Sequence, residues 1–189
     1  MAKAFGSVAA IVAASTAFAA PSNLKVPEGT GVTAAVQKDS VRPGEIVAVD
    51  VYLSKIPDVG AYQVRLEVTG GTTGSLMVEE AKLDRSREDY VFGTDEIVDA
   101  SNTQKDLKTA LVGAVKSSGG AAVEAPAYGG TIYYKASDDA SGTFTIKVQI
   151  GPSSTMMTDS MAREIPVTAG QAATVNVSKT PKRVRSQDK

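Results

Sequence analysis

The chain has 189 residues, with 20 Lys plus Arg against 21 Asp plus Glu, no Cys and no His. So even a balance gives no electrostatic reason to bind nucleic acid or an anionic membrane surface. Without His or Cys there is no Ser-His-Asp triad, no cysteine nucleophile, no zinc site built from those ligands and no disulfide.

At the N-terminus Lys3 supplies a minimal positive region, Ala4–Ala14 is a short apolar run, and Ala17-Phe18-Ala19 has the small-x-small form of a signal-peptidase site. Residues 1–19 therefore read as a signal peptide cleaved after Ala19, which sends the chain to the extracellular space or periplasm. The run is shorter and less apolar than the roughly 20 residues a spanning helix requires, so no membrane span is expected. Residues 20–29, with two prolines and a glycine, read as an N-terminal arm.

Strand signals follow. Val32, Ala34 and Val36 alternate with Thr33 and Ala35. After the turn Arg42-Pro43-Gly44, Val47, Val49, Val51 and Leu53 alternate with Ala48, Asp50 and Tyr52, which predicts one oily and one polar face. Beyond the connector Lys55–Gly60, the residues Tyr62, Val64, Leu66 and Val68 point one way and Gln63, Arg65 and Glu67 the other. These two strands either pair directly or lie in facing sheets. Ser75–Leu83 fits a strand or a short helix, Tyr90-Val91-Phe92 a short aromatic strand, and Thr109–Lys116 a strand whose Ala110, Gly113 and Ala114 permit close packing across it. Thr94–Lys108 and Ser117–Gly130 read as loops. Thr131–Ala136 and Thr143–Ile150 are joined by the turn at Asp138-Asp139, and Arg163–Val167 and Ala172–Val177 close the domain. With about nine strands and no strong amphipathic helix, residues 30–178 read as an all-β jelly-roll sandwich. Residues 179–189, with Lys179, Lys182, Arg183, Arg185 and Lys189, read as a basic disordered tail.

The order of these signals resembles the cohesin domain, the receptor module of cellulosome-type scaffolds. The resemblance lies in Val32–Val36, Pro43-Gly44-Glu45-Ile46-Val47, the strand Val47–Leu53, Lys55-Ile56-Pro57 and Gly60-Ala61-Tyr62. It continues in Gly130–Ala136 followed by Ser141-Gly142-Thr143 and Phe144–Ile150. It implies a nine-stranded jelly roll and a dockerin-like protein partner seated on one sheet face, with Gln63, Arg65 and Glu67 at the partner-binding positions. Familiar cohesins tend to carry Asn and Asp where this chain has Gln63 and Arg65, so a carboxylate is exchanged for a guanidinium. Any calcium requirement of binding is expected to belong to the partner.

Catalytic alternatives find little support. Glu79-Glu80 would point to opposite faces of a strand, whereas a glycosidase needs two carboxylates across one cleft. Asp84, Glu88, Asp89, Asp95 and Asp99 are acidic but match no calcium-loop spacing. No phosphate-cradling loop or dinucleotide fingerprint is present. The expectation is a secreted, non-enzymatic binding module without cofactor or metal. A carbohydrate-binding module on a similar sandwich is the alternative, weakened by the absence of Trp. The strand register makes a paired prediction. Leu66→Ala should destabilise the fold by roughly 2–5 kcal/mol, whereas Arg65→Ala should change stability by no more than a few tenths of a kcal/mol. Urea unfolding of both variants checks it, and an unchanged Leu66→Ala would mean the register is wrong.

Overall fold

The computed structural model describes residues 20–21, 24–106, 108–151 and 153–179. The expected signal peptide, part of the arm and all of the basic tail beyond Lys179 lie outside them. All regular structure among the described residues is strand. In chain order the strands are β1 (Gly31–Val36), β2 (Ser40–Val41), β3 (Ile46–Ser54), β4 (Ile56–Val59), β5 (Ala61–Gly70), β6 (Leu76–Lys82), β7 (Ile97–Asp99) and β8 (Asn102–Gln104). There follow β9 (Thr109–Lys116), β10 (Ala121–Val123), β11 (Ala127–Ala136), β12 (Gly142–Val148), β13 (Met156–Thr158), β14 (Glu164–Ile165), β15 (Thr168–Ala169) and β16 (Ala173–Val177).

Apart from the two-stranded pair β10-β4, they form two facing sheets. The first runs β15-β1-β3-β11-β6. The second has β5 at its centre, with β9 on one edge, itself bordered by β7 and β8, and β12 and β13 sharing the other edge. From β12 the sheet continues through β16 to the short β2. The strands β3 and β5 thus lie in opposite sheets, which settles the question the connector left open. Part of that connector is itself strand β4, paired with β10.

The core is the set of inward side chains that the alternation of period two selects. Val47, Val49, Val51 and Leu53 of β3 face Tyr62, Val64 and Leu66 of β5, and all are buried. From β11 and β12 come Ile132, Tyr134, Phe144 and Ile146. Such a continuous apolar interior provides the main driving force for a domain without disulfides.

Four expectations are corrected. The polar face of β3 is not solvated, for Asp50 and Tyr52 are as buried as the valines. Tyr90-Val91-Phe92 is not a strand but part of a strap, residues 84–96, in which only Tyr90 makes a bridge, parallel, to Tyr128. Thr94–Lys108 is not all loop, because β7 and β8 lie in it. Three-residue strands are too short to show a period and are held by backbone bonds to β9. Ser117–Gly130 likewise contains β10 and the start of β11. That start is irregular, because the register with β3 shifts between Tyr128 and Gly130. Gly130 has φ +133°, and a Cβ there would lie 2.8 Å from Val112 Cβ, so the bulge depends on glycine.

Arg87 explains both the strap and the buried face of β3. Its Nε and Nη2 donate to the two carboxylate oxygens of Asp89 at 2.8 and 2.9 Å, and Nη1 donates to Asp50 Oδ2 at 3.0 Å. Nη2 also donates to the Tyr52 hydroxyl at 3.1 Å, and the guanidinium carbon lies 3.9 Å from the centroid of the Tyr128 ring. The remaining capacity of Asp50 is filled by Thr131 Oγ1 at 2.7 Å and Gln37 Nε2 at 3.0 Å. Side chains of Arg87 and Asp50 are only 7% and 6% exposed, so this ion pair is desolvated and depends on those additional bonds. Burial on its own would lower the Arg87 pKa, but the bonds to Asp89 and Tyr52 and the Asp50 charge raise it above the ordinary arginine value.

From Arg87 the strap turns round the start of β11. Tyr128 N–H donates to Asp89 O at 2.7 Å and Val91 N–H to Tyr128 O at 2.9 Å, on the edge that β6 leaves free. Tyr90 packs against Tyr128 with ring centroids 6.4 Å apart, and Phe92 against Tyr62 at 5.7 Å. The aromatic residues cap one end of the core.

Two predictions follow from the cluster. Replacing Arg87 by Leu leaves two largely buried carboxylates without their cation and should cost about 3–5 kcal/mol, read from the urea midpoint. Adding Asp50→Asn to that variant should restore part of the loss, and strictly additive losses would contradict a shared network. The second concerns alkali. Burial, then the Asp50 charge, push the Tyr52 hydroxyl up to about 12, and burial is the main cause that does the same for Tyr128. A phenol whose folded pKa is raised contributes stability that is complete below its unfolded value and is lost as pH rises through the folded one. Unfolding free energy should fall by about 2 kcal/mol or more between the ordinary tyrosine value of 10.0 and about 12. Constant stability across that range would refute the buried placement.

Candidate functional site

The outward face of the second sheet is built in rows set by strand register. One row reads Val98 on β7, Val115 on β9, Ala61 on β5 and Thr158 on β13. The next reads Gly113, Gln63 and Met156, and the third Asn102, Leu111 and Arg65. Beyond these, Glu67 pairs with Lys147 of β12.

Apolar side chains stand exposed in the first rows: Val98 is 63%, Val115 44% and Met156 42% accessible. Gly113 sits low between them. A Cβ at this position would lie 2.8 Å from Tyr62 O, so glycine allows β9 to approach β5 closely. A shallow depression of about 130 Å³, lined by Gln63, Ala100, Val115 and Met156 among others, lies here. Contiguous exposed apolar side chains on a sheet face are a common mark of an interaction surface.

The three residues singled out from the sequence share this face but are engaged differently. Gln63 is turned towards the loop before β13, where its Nε2 donates to Ser154 O at 3.1 Å. Glu67 is committed to Lys147, with Oε2 and Nζ 3.1 Å apart, a largely exposed pair of small energetic weight. Arg65 has no such commitment. Its Nε is excluded from solvent and has no acceptor among the described residues. An unpartnered buried donor is costly and calls for an explanation.

The position of Arg65 in the sheet is equally particular. There the edge of β5 passes from one neighbour to another, with β12 pairing from Leu66 onward and β13 pairing up to Gln63. At the joint the Arg65 N–H donates to Thr155 Oγ1 at 3.2 Å, and Arg65 O accepts from Gln149 N–H at 2.9 Å. The backbone is therefore satisfied while the side-chain Nε is not.

Sequence reasoning missed the apolar half of the face. Val98 lay in a segment read as loop, and Met156 in residues 151–162, to which no strand was assigned. One signal was available, since in Thr109–Lys116 both parities are apolar: Ala110, Val112 and Ala114 face the core, and Leu111 and Val115 face out.

The other candidate chemistry is not assembled. Glu79 and Glu80 border an open depression of about 780 Å³ between β6 and β8, where Lys105 Nζ lies 2.6 Å from Glu79 Oε2. That hydrogen bond, then the lysine charge, lower the Glu79 pKa, which is opposite to what a general acid needs. No group of three acidic side chains able to hold a metal ion occurs among the described residues. Of the acidic strap residues, Asp89 is held by Arg87, and Asp84 accepts from Ser86 Oγ at 2.6 Å.

No family model matches the sequence, and no curated protein matches it. Solved structures do match. The seventh ScaB type I cohesin of Pseudobacteroides cellulosolvens aligns with TM-score 0.54 and 12% identity, over 80% of this chain and 94% of that one. A non-cellulosomal cohesin of the archaeon Archaeoglobus fulgidus aligns with TM-score 0.52 and 14% identity, over 78% and 91%. A chain of a type I cohesin–dockerin complex from Clostridium thermocellum aligns with TM-score 0.51 and 16% identity, over 78% and 99%.

Proposed function

This chain has the cohesin fold, an all-β jelly-roll sandwich, and we propose that it works as that fold suggests, as a non-catalytic module that binds a protein partner. The partner seats on the outward face of β5 and β9, across Gln63, Arg65 and Glu67 and the apolar residues Val98, Leu111, Val115 and Met156. The observation that carries this reading is the exposed apolar group around Gly113, continuous with an arginine whose Nε has no acceptor among the described residues. A dockerin-like module is the partner the cohesin fold favours. Secretion after cleavage near Ala19 accords with such a role.

The test is calorimetric titration of the chain with recombinant dockerin modules in the presence of calcium. Binding is expected, and Val115→Asp should weaken it by about tenfold or more, since burying an unpaired charge in an apolar contact is costly. The same substitution, at an exposed position, should leave the urea midpoint nearly unchanged. Binding unaffected by Val115→Asp would place the partner elsewhere. Retention on insoluble polysaccharide with no dockerin bound would favour the carbohydrate-binding alternative.

A further inference from the structure

Three charged or amide side chains lie along β5 on the proposed face, and two are satisfied internally. Gln63 donates to Ser154 O, and Glu67 accepts from Lys147. Glu67, two residues from Arg65 on the same face, is thus turned away to a lysine. Arg65 has no carboxylate paired with it among the described residues, and its solvent-excluded Nε has no acceptor there. Its register neighbour on β9 is Leu111, with Gly113 and Val115 beyond. The face therefore offers one uncompensated cation at the border of an apolar surface. A guanidinium so placed prefers a planar anion that can accept two parallel bonds, and the bond strengthens as the surrounding apolar contact excludes water.

We infer that the partner brings a carboxylate to Arg65, so that this face selects an acidic segment with an adjoining apolar stripe and discriminates against a basic one. The inference rests on the proposed reading of the face and adds the charge of what binds there. A lysine or arginine in the corresponding place of a partner would meet like charge in a partly desolvated site, a repulsion that selects against it.

Two helical peptides of about four turns test this, each with the same leucine stripe, one flanked by glutamates and the other by lysines in the same positions. Each is titrated into the isotope-labelled full chain while backbone amide resonances are followed. The glutamate peptide is expected to shift the amides of residues 61–67, 98 and 111–115 and to bind about tenfold more tightly than the lysine peptide at low salt. In Arg65→Gln, with an otherwise unchanged spectrum, that preference should shrink to about twofold or less. Equal or tighter binding of the lysine peptide on these same residues overturns the charge inference while leaving the face in place. Shifts confined to other surfaces overturn the choice of face. No shift of these residues by either peptide at millimolar concentration overturns the inference, and the dockerin titration then decides on the face by itself.

Discussion

The buried contact between Arg87 and Asp50 is the constraint on which the arrangement of this sandwich depends. Asp50 sits in the middle of β3, the central strand of its sheet, on the side turned away from the core. A carboxylate in that place would ordinarily be solvated. Here it is covered, and what covers it is a strap that must therefore be basic at one position. Buried ion pairs contribute little net stability compared with apolar packing of equal volume, but they tolerate few alternative geometries. The fork of Arg87, shared among Asp89, Asp50 and Tyr52 and lying over Tyr128, determines where the strap lies. The strap in turn delivers the chain from the edge of one sheet to the edge of the other, and β7 begins at its end.

That geometry links two surfaces that have no side chain in common. The cluster lies on the outer side of the first sheet, whereas Val98, the most exposed apolar residue of the candidate face, lies on the second. Its position depends on β9, whose close fit to β5 requires Gly113, and on the strap that leads into β7. The edge of the face is set partly by charge on the far side of the molecule.

How much of this was legible in the sequence varies with the length and the neighbours of each strand. β3, β5 and β12 showed their period because each is long enough and lines the core with one face. β7, β8, β10 and β13 showed nothing, since three residues are too few to carry a period and owe their conformation to the strand beside them. The burial of Asp50 and Tyr52 was hidden for another reason. Alternation reports which residues share a face, but whether that face meets water depends on segments remote in sequence. The site was half legible for the same cause. The positions of Gln63, Arg65 and Glu67 on one face follow from alternation along β5. That Arg65, of these three, has no side-chain partner among the described residues depends on the loop before β13 and on Lys147 of β12, which no local pattern connects with them.

The joint on the edge of β5 has a consequence for how the domain tolerates change. At this joint the Arg65 N–H is taken by a threonine hydroxyl, while Arg65 O keeps a backbone bond from Gln149. The two partner strands are paired separately to β5, so their register with it does not depend on the length of the turn between them. Residues added at its tip, around Ser153, would lengthen a protrusion beside Arg65 without displacing a core side chain. A protein lineage could remodel the rim of this face by insertion there, while the sandwich beneath kept its alignment.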